Sequence, residues 1–123
     1  MRAALAAWRE GDEDAYLRHQ HPEVEFIPMR SVTEGVFHGH EGIRRFLADT
    51  RENFEYFDID VEFEDLGAGR VLMWGTVHAK GRGSGAEINV PTAGVIELED
   101  GLIRRWRDVG TRERALEEAG GAR

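Results

Sequence analysis

The chain has 123 residues, of which 41% are hydrophobic and 33% charged, and a formal net charge of -8. That length suits one domain spanning residues 1–123, with a core that buries roughly two thirds of the surface exposed by the unfolded chain. The acidic balance argues against a nucleic-acid partner, which would call for Lys and Arg gathered on one face. The lack of cysteine excludes a disulfide framework, a thiolate metal site and a cysteine nucleophile.

Met1 to Trp8 is too short an apolar stretch for a signal peptide. No run of roughly eighteen apolar residues could span a bilayer, so no membrane partner is expected and the expected location is cytoplasmic. Arginine outnumbers lysine fifteen to one, a composition expected of a bacterial protein from a GC-rich genome.

From Ala3 to Glu10 the residues favour a helix with Leu5 and Trp8 on one face. Gly11 and Asp12 then read as a stop followed by a new N-cap. The second helix carries Tyr16 and Leu17 inward and ends before Pro22. Val24, Phe26 and Pro28 alternate with Glu23, Glu25 and Ile27 as a short strand, and a loop from Arg30 to Gly39 follows. Ile43, Phe46, Leu47, Thr50 and Phe54 fall at helical spacing, with Arg44, Arg45, Asp49, Arg51 and Glu52 opposite, which predicts a long helix covering a sheet.

Phe57, Ile59, Val61 and Phe63 alternate with four acidic residues, the period-2 pattern of a half-buried strand. Gly67 and Gly69 mark a turn, and Val71 to Lys80 reads as a second strand. A second turn spans Gly81 to Gly85, and Ala86 to Leu98 forms a third strand. Asp100-Gly101 is a tight hairpin signal before a last strand, Leu102 to Val109, and Thr111 caps a final helix that stops near Gly120. Helices, a strand, a long helix and a four-strand meander make an α+β chain. The later three strands are apolar or mixed on both faces, which predicts helices over one face and a second copy of the chain, in a homodimer, over the other.

The element order, the Gly39-His40-Glu41-Gly42 entry to the long helix and the Trp106-Arg107-Asp108 ending resemble the NTF2-like superfamily, specifically its SnoaL-like branch, over nearly the whole chain. The resemblance implies a cone, in which a curved antiparallel sheet wraps on the N-terminal helices and the long helix around an apolar pocket. Polyketide cyclases, ketosteroid isomerases, dehydratases and limonene epoxide hydrolases are members. The ending is similar to that of the limonene epoxide hydrolases, where the carboxylate after Trp-Arg acts on the epoxide or the attacking water. Asp108 takes that position. The Arg and Asp that complete the set in those enzymes fall here on Gly75 and Val77, so the resemblance implies a pocket carboxylate without its usual partners.

Uniform pairing across Asp100-Gly101 puts Ala93 opposite Asp108 and Val95 opposite Trp106, so Asp108 shares a face with small apolar residues, placed to act as a general acid or base. The competing role is a plain hydrogen bond, or an ion pair with Arg30, Arg107 or Arg112. His78, on the central strand, is a second proton-transfer candidate, although alternation turns it away from the pocket if Gly75 and Val77 face inward. Tyr16, Phe26, Met29, Phe46, Phe54, Met73 and Trp106 are the expected apolar lining, with Val77 and Val95 beside them and Arg30 and His38 toward the mouth. Tyr16 and Arg30 join His78 as contenders for a polar partner of Asp108.

The pairs His19/His21 and His38/His40 lie at element ends without a carboxylate or thiolate to complete a ligand set, so no metal is expected. Gly81 to Gly85 opens no helix and reads as a hairpin rather than a phosphate cradle. No cofactor is expected. The partner expected is a small apolar molecule in the cone. Asp108 would transfer a proton in an isomerisation, cyclisation, hydration or dehydration, or the domain would bind or dimerise without chemistry. An adaptor exposing an apolar sheet patch is the third possibility.

Overall fold

The computed structural model describes residues 2–28 and 35–121. Helix α1 (Arg2–Glu10) and helix α2 (Glu13–Arg18) meet at Gly11, where a positive φ of 70° turns the chain. Asp12 caps α2 as predicted, its carboxylate accepting from the Ala15 amide at 3.0 Å. Strand β1 (Gln20–Ile27) leads to the two-residue β2 (Phe37–His38) and the long helix α3 (Gly39–Asn53), which buries Ile43 and Leu47. The meander follows as β3 (Phe54–Gly67), β4 (Arg70–Gly81), β5 (Glu87–Glu99) and β6 (Leu102–Asp108), then α4 (Arg112–Gly121). No helix among the described residues is long and apolar enough to cross a membrane.

The six strands form one sheet in the order β2-β1-β6-β5-β4-β3. All pairs are antiparallel except β1 with β6, where Phe26 lies beside Trp106 and the strands run parallel. Periodicity within the meander predicts its hairpins. The parallel partner of β1 is more than seventy residues away in sequence and has no local signal.

The inner face packs on α1, α2 and α3. Phe26 stacks on Phe37, Phe46 meets both edge-on, and Trp106 leans on Phe26 at a ring separation of 4.7 Å. Two glycines shape this face. A Cβ on Gly75 would collide with the Asp60 carbonyl and one on Gly94 with the Arg107 carbonyl. The sheet bends there so tightly that a neighbouring strand fills the side-chain space.

Part of the outer face is covered from within the chain. Leu72 and Ala93, both 0% exposed, pack with Val95, Val109 and Ala115 of α4. The outer side of β4 and β5 around Leu72, Ala93 and Val95 is thus covered by the chain's own last helix.

Candidate functional site

A β-bulge decides which side chains face the cone. Past the hairpin, Leu98 pairs with Ile103, but Glu97 pairs with Arg105, so Arg104 is the extra residue. From there the register is shifted by one: Gly94 stands opposite Asp108 and Ile96 opposite Trp106. The uniform pairing expected from Asp100-Gly101 is therefore corrected. Ala93 and Val95 lie on the outer face against α4, and Val95 is withdrawn as a lining residue. Ile96, 1% exposed, takes its place.

Between α1 and the inner face lies an apolar chamber of about 40 Å³, walled by Leu5, Trp8, Tyr16, Met73, Ile96 and Trp106, among others. A larger chamber of about 170 Å³ opens between α2, the end of α3 and the start of β3. Trp8 and Tyr16 line both, so these two rings form the partition. Trp8 is held by edge contacts to Tyr16 and Phe57, stacking on Phe46, and an indole N–H that donates to the Phe57 carbonyl at 3.3 Å.

Tyr16 is 7% exposed, with the Gln20 side chain beside its hydroxyl. Burial pushes the phenol well above its ordinary value of 10.0, against a smaller opposing effect of the neighbouring Gln20 side chain. The folded state therefore favours the neutral phenol. This contribution is complete below the unfolded value and is lost as pH rises from it through the folded one. Melting temperature followed from pH 9 upward should fall more steeply in the wild type than in Tyr16→Phe. Parallel curves would show that Tyr16 is not the titrating group.

The predicted lining residues divide. Tyr16, Met73 and Trp106 wall the inner chamber and Phe54 the outer one. Phe26 and Phe46 belong to the aromatic core beneath. Val77 faces inward between Ile59 and Val90, but lines neither chamber. The His38 side chain is 67% exposed and lies 3.8 Å from Glu25. Met29 and Arg30 lie outside the described residues. Leu5, Ile59 and Val61, which also line the inner chamber, were missed as pocket residues although α1 and the alternation of β3 placed their faces.

Asp108 shares the inner face with Trp106 but borders neither chamber. Two strand steps, on the order of 10 Å, separate it from Met73 through Gly94. Its Oδ2 accepts from Thr92 Oγ1 at 2.9 Å and its Oδ1 from the Gly110 amide at 2.9 Å. Of the arginines proposed as its partners, Arg107 pairs with Glu118 at 3.5 Å and Arg112 with Glu64 at 3.8 Å, and Arg30 lies outside the described residues. Asp108 thus ties β5 and β6 to the turn that starts α4, and beside Pro28 and Arg114 it borders an open surface hollow.

His78 faces the outer side as alternation requires and bonds Asn89. The paired histidines go separate ways: His21 lies 3.5 Å from Glu99, and His40 contacts the Gln20 carbonyl at 2.9 Å.

Residues 1–106 match the family model described as SnoaL-like domain. The fold is similar to that of an NTF2-like protein of unknown function from Burkholderia pseudomallei (18% identity, TM-score 0.79, 94% of this chain and 91% of that one). It is also similar to TerC co-crystallised with polyporic acid (25% identity, TM-score 0.76, 94% and 91%). A Catenulispora acidiphila protein with a ketosteroid isomerase-like fold, in complex with trimethylamine, is 17% identical with a TM-score of 0.76 over 97% and 90%. No functionally curated protein matches the sequence.

Proposed function

Since the chain belongs to the SnoaL-like domain family, we propose that it binds a small apolar molecule in the cone, with the Trp8/Tyr16 partition as the contact surface. The observation that carries this reading is the pair of adjoining chambers walled by aromatic and aliphatic side chains. TerC, 25% identical and co-crystallised with polyporic acid, supports the reading that a cone of this kind accommodates a small organic ligand. Binding without chemistry is favoured because Asp108 borders neither chamber and already accepts two hydrogen bonds.

A second reading, acid or base chemistry by Asp108, draws on its place beside Trp106. The Trp106 indole nitrogen is buried without a hydrogen-bond partner among the described residues, next to Gly94, which faces Asp108. A substrate reaching past Gly94 would meet both groups.

Thermal shift against a panel of small neutral aromatic and terpenoid compounds, run on the wild type and on Asp108→Asn, tests the two readings. The substitution leaves a poorer acceptor for Thr92 and Gly110 and should cost about 1–2 kcal/mol. A hit at a hundred times its Kd should stabilise either form by about 2.7 kcal/mol. Equal stabilisation without turnover supports binding. Turnover of a hit by the wild type alone would shift the assignment to acid-base chemistry, and no stabilisation by any compound would sink the binding reading.

A further inference from the structure

The outer chamber carries a feature that the inner one lacks. Its floor is apolar, formed by Trp8, Tyr16, Leu47, Phe54 and Phe57, whereas its rim is charged. Most rim charges are already engaged. Glu13 pairs with Arg51 at 2.8 Å, Glu55 pairs with Lys80 at 3.3 Å, and Asp12 is occupied in capping α2.

Arg82 is the exception. It belongs to the Gly81–Gly85 hairpin, which folds back on α3: the Arg82 amide donates to the Asn53 carbonyl at 2.9 Å and its Nε to the Arg51 carbonyl at 2.8 Å. These two bonds fix the base of the guanidinium at the chamber rim. Arg82 forms no ion pair among the described residues, and one of its five side-chain N–H donors is spent on the Arg51 carbonyl. The two terminal nitrogens remain for a planar oxyanion, which a guanidinium can grip with paired hydrogen bonds.

We propose that the outer chamber takes an aromatic carboxylate, its ring against Trp8, Phe54 and Phe57 and its carboxylate on the Nη groups of Arg82. This rests on the ligand-binding reading above and narrows its ligand class. A single negative charge suits the site better than a phosphate dianion, because Asp12 and Glu13 stand on the same rim.

The test compares 2-naphthoate, neutral 2-naphthamide and 2-naphthyl phosphate by isothermal titration calorimetry on the wild type, Arg82→Gln and Arg82→Lys. The wild type should bind naphthoate about tenfold more tightly than naphthamide. Arg82→Gln should erase that preference while leaving naphthamide affinity within about twofold, and Arg82→Lys should restore part of it, since a lysine keeps the charge without the fork. Equal wild-type affinities for naphthoate and naphthamide, or a preference that survives Arg82→Gln, would overturn the role of Arg82 and leave apolar binding standing. Tighter binding of the phosphate would overturn the carboxylate assignment. If none of the three binds while neutral hits from the thermal-shift panel do, the outer chamber is not the site. If nothing binds at all, the binding reading falls with it.

Discussion

Gly94→Ala is expected to lower stability by about 3 kcal/mol or more, which for a chain of this size is a fall of roughly 10 °C in melting temperature. The cause is space, since the carbonyl of Arg107 occupies the position a Cβ would take, with the Trp106 indole nitrogen also close by, and a backbone atom paired in a ladder cannot swing aside as a side chain can. Gly94 also faces Asp108, so any opening of the β5–β6 pair to admit a methyl group strains the Thr92 and Gly110 bonds to that carboxylate. Gly75→Ala meets the Asp60 carbonyl in the same way and should behave alike. Gly120→Ala is the control: its Cβ would meet nothing within 4 Å, and in helix α4 it should be neutral or slightly stabilising. Calorimetric melting of the three variants checks this. A Gly94→Ala protein that melts with the wild type would mean that the sheet is less sharply bent than described.

The second large effect is at Trp8, where truncation to alanine should cost about 3–5 kcal/mol. The indole packs on Tyr16, Phe46 and Phe57 and donates to the Phe57 carbonyl, so its removal loses apolar contacts from α2, α3 and β3 together. It also removes the wall between the two chambers. Ligand affinity should therefore fall even at temperatures where the variant remains folded. Trp8→Phe separates the two effects. It keeps a ring at the partition and gives up the N–H, for a stability loss of about 1 kcal/mol, and should bind apolar ligands within a few fold of the wild type. Urea titration gives the stabilities, and calorimetry with a thermal-shift hit gives the affinities. Unchanged affinity in Trp8→Ala would place the ligand away from the partition.

Both variants touch features that were unevenly legible. The α3 face of Ile43 and Leu47, the alternation from Phe57 to Phe63 and the Asp12 and Thr111 caps read directly from residue order, because each depends on neighbours within one or two turns. Thr111 does accept from the Arg114 amide at 3.2 Å. The partition residue Trp8 was placed on its helix, but its role between two chambers was not visible. Asp108 was located on its strand and at its turn, yet its distance from the cavity was hidden, as was its pairing with Thr92. Arg82 looked like part of a flexible hairpin until α3 ended beside it.

Local periodicity, capping chemistry and turn residues were enough to determine that this chain is α+β with a long covering helix and a four-strand meander, while the cone was implied only by the resemblance to the SnoaL-like branch. The tertiary structure alone decided the parallel pairing of β1 with β6, the bulge at Arg104 that turns Val95 outward and Ile96 inward, and the cover that α4 lays over Leu72 and Ala93. These depend on contacts between residues far apart in the chain. A one-residue slip in register exchanges the two faces of a strand, and nothing in the neighbouring residues records that slip.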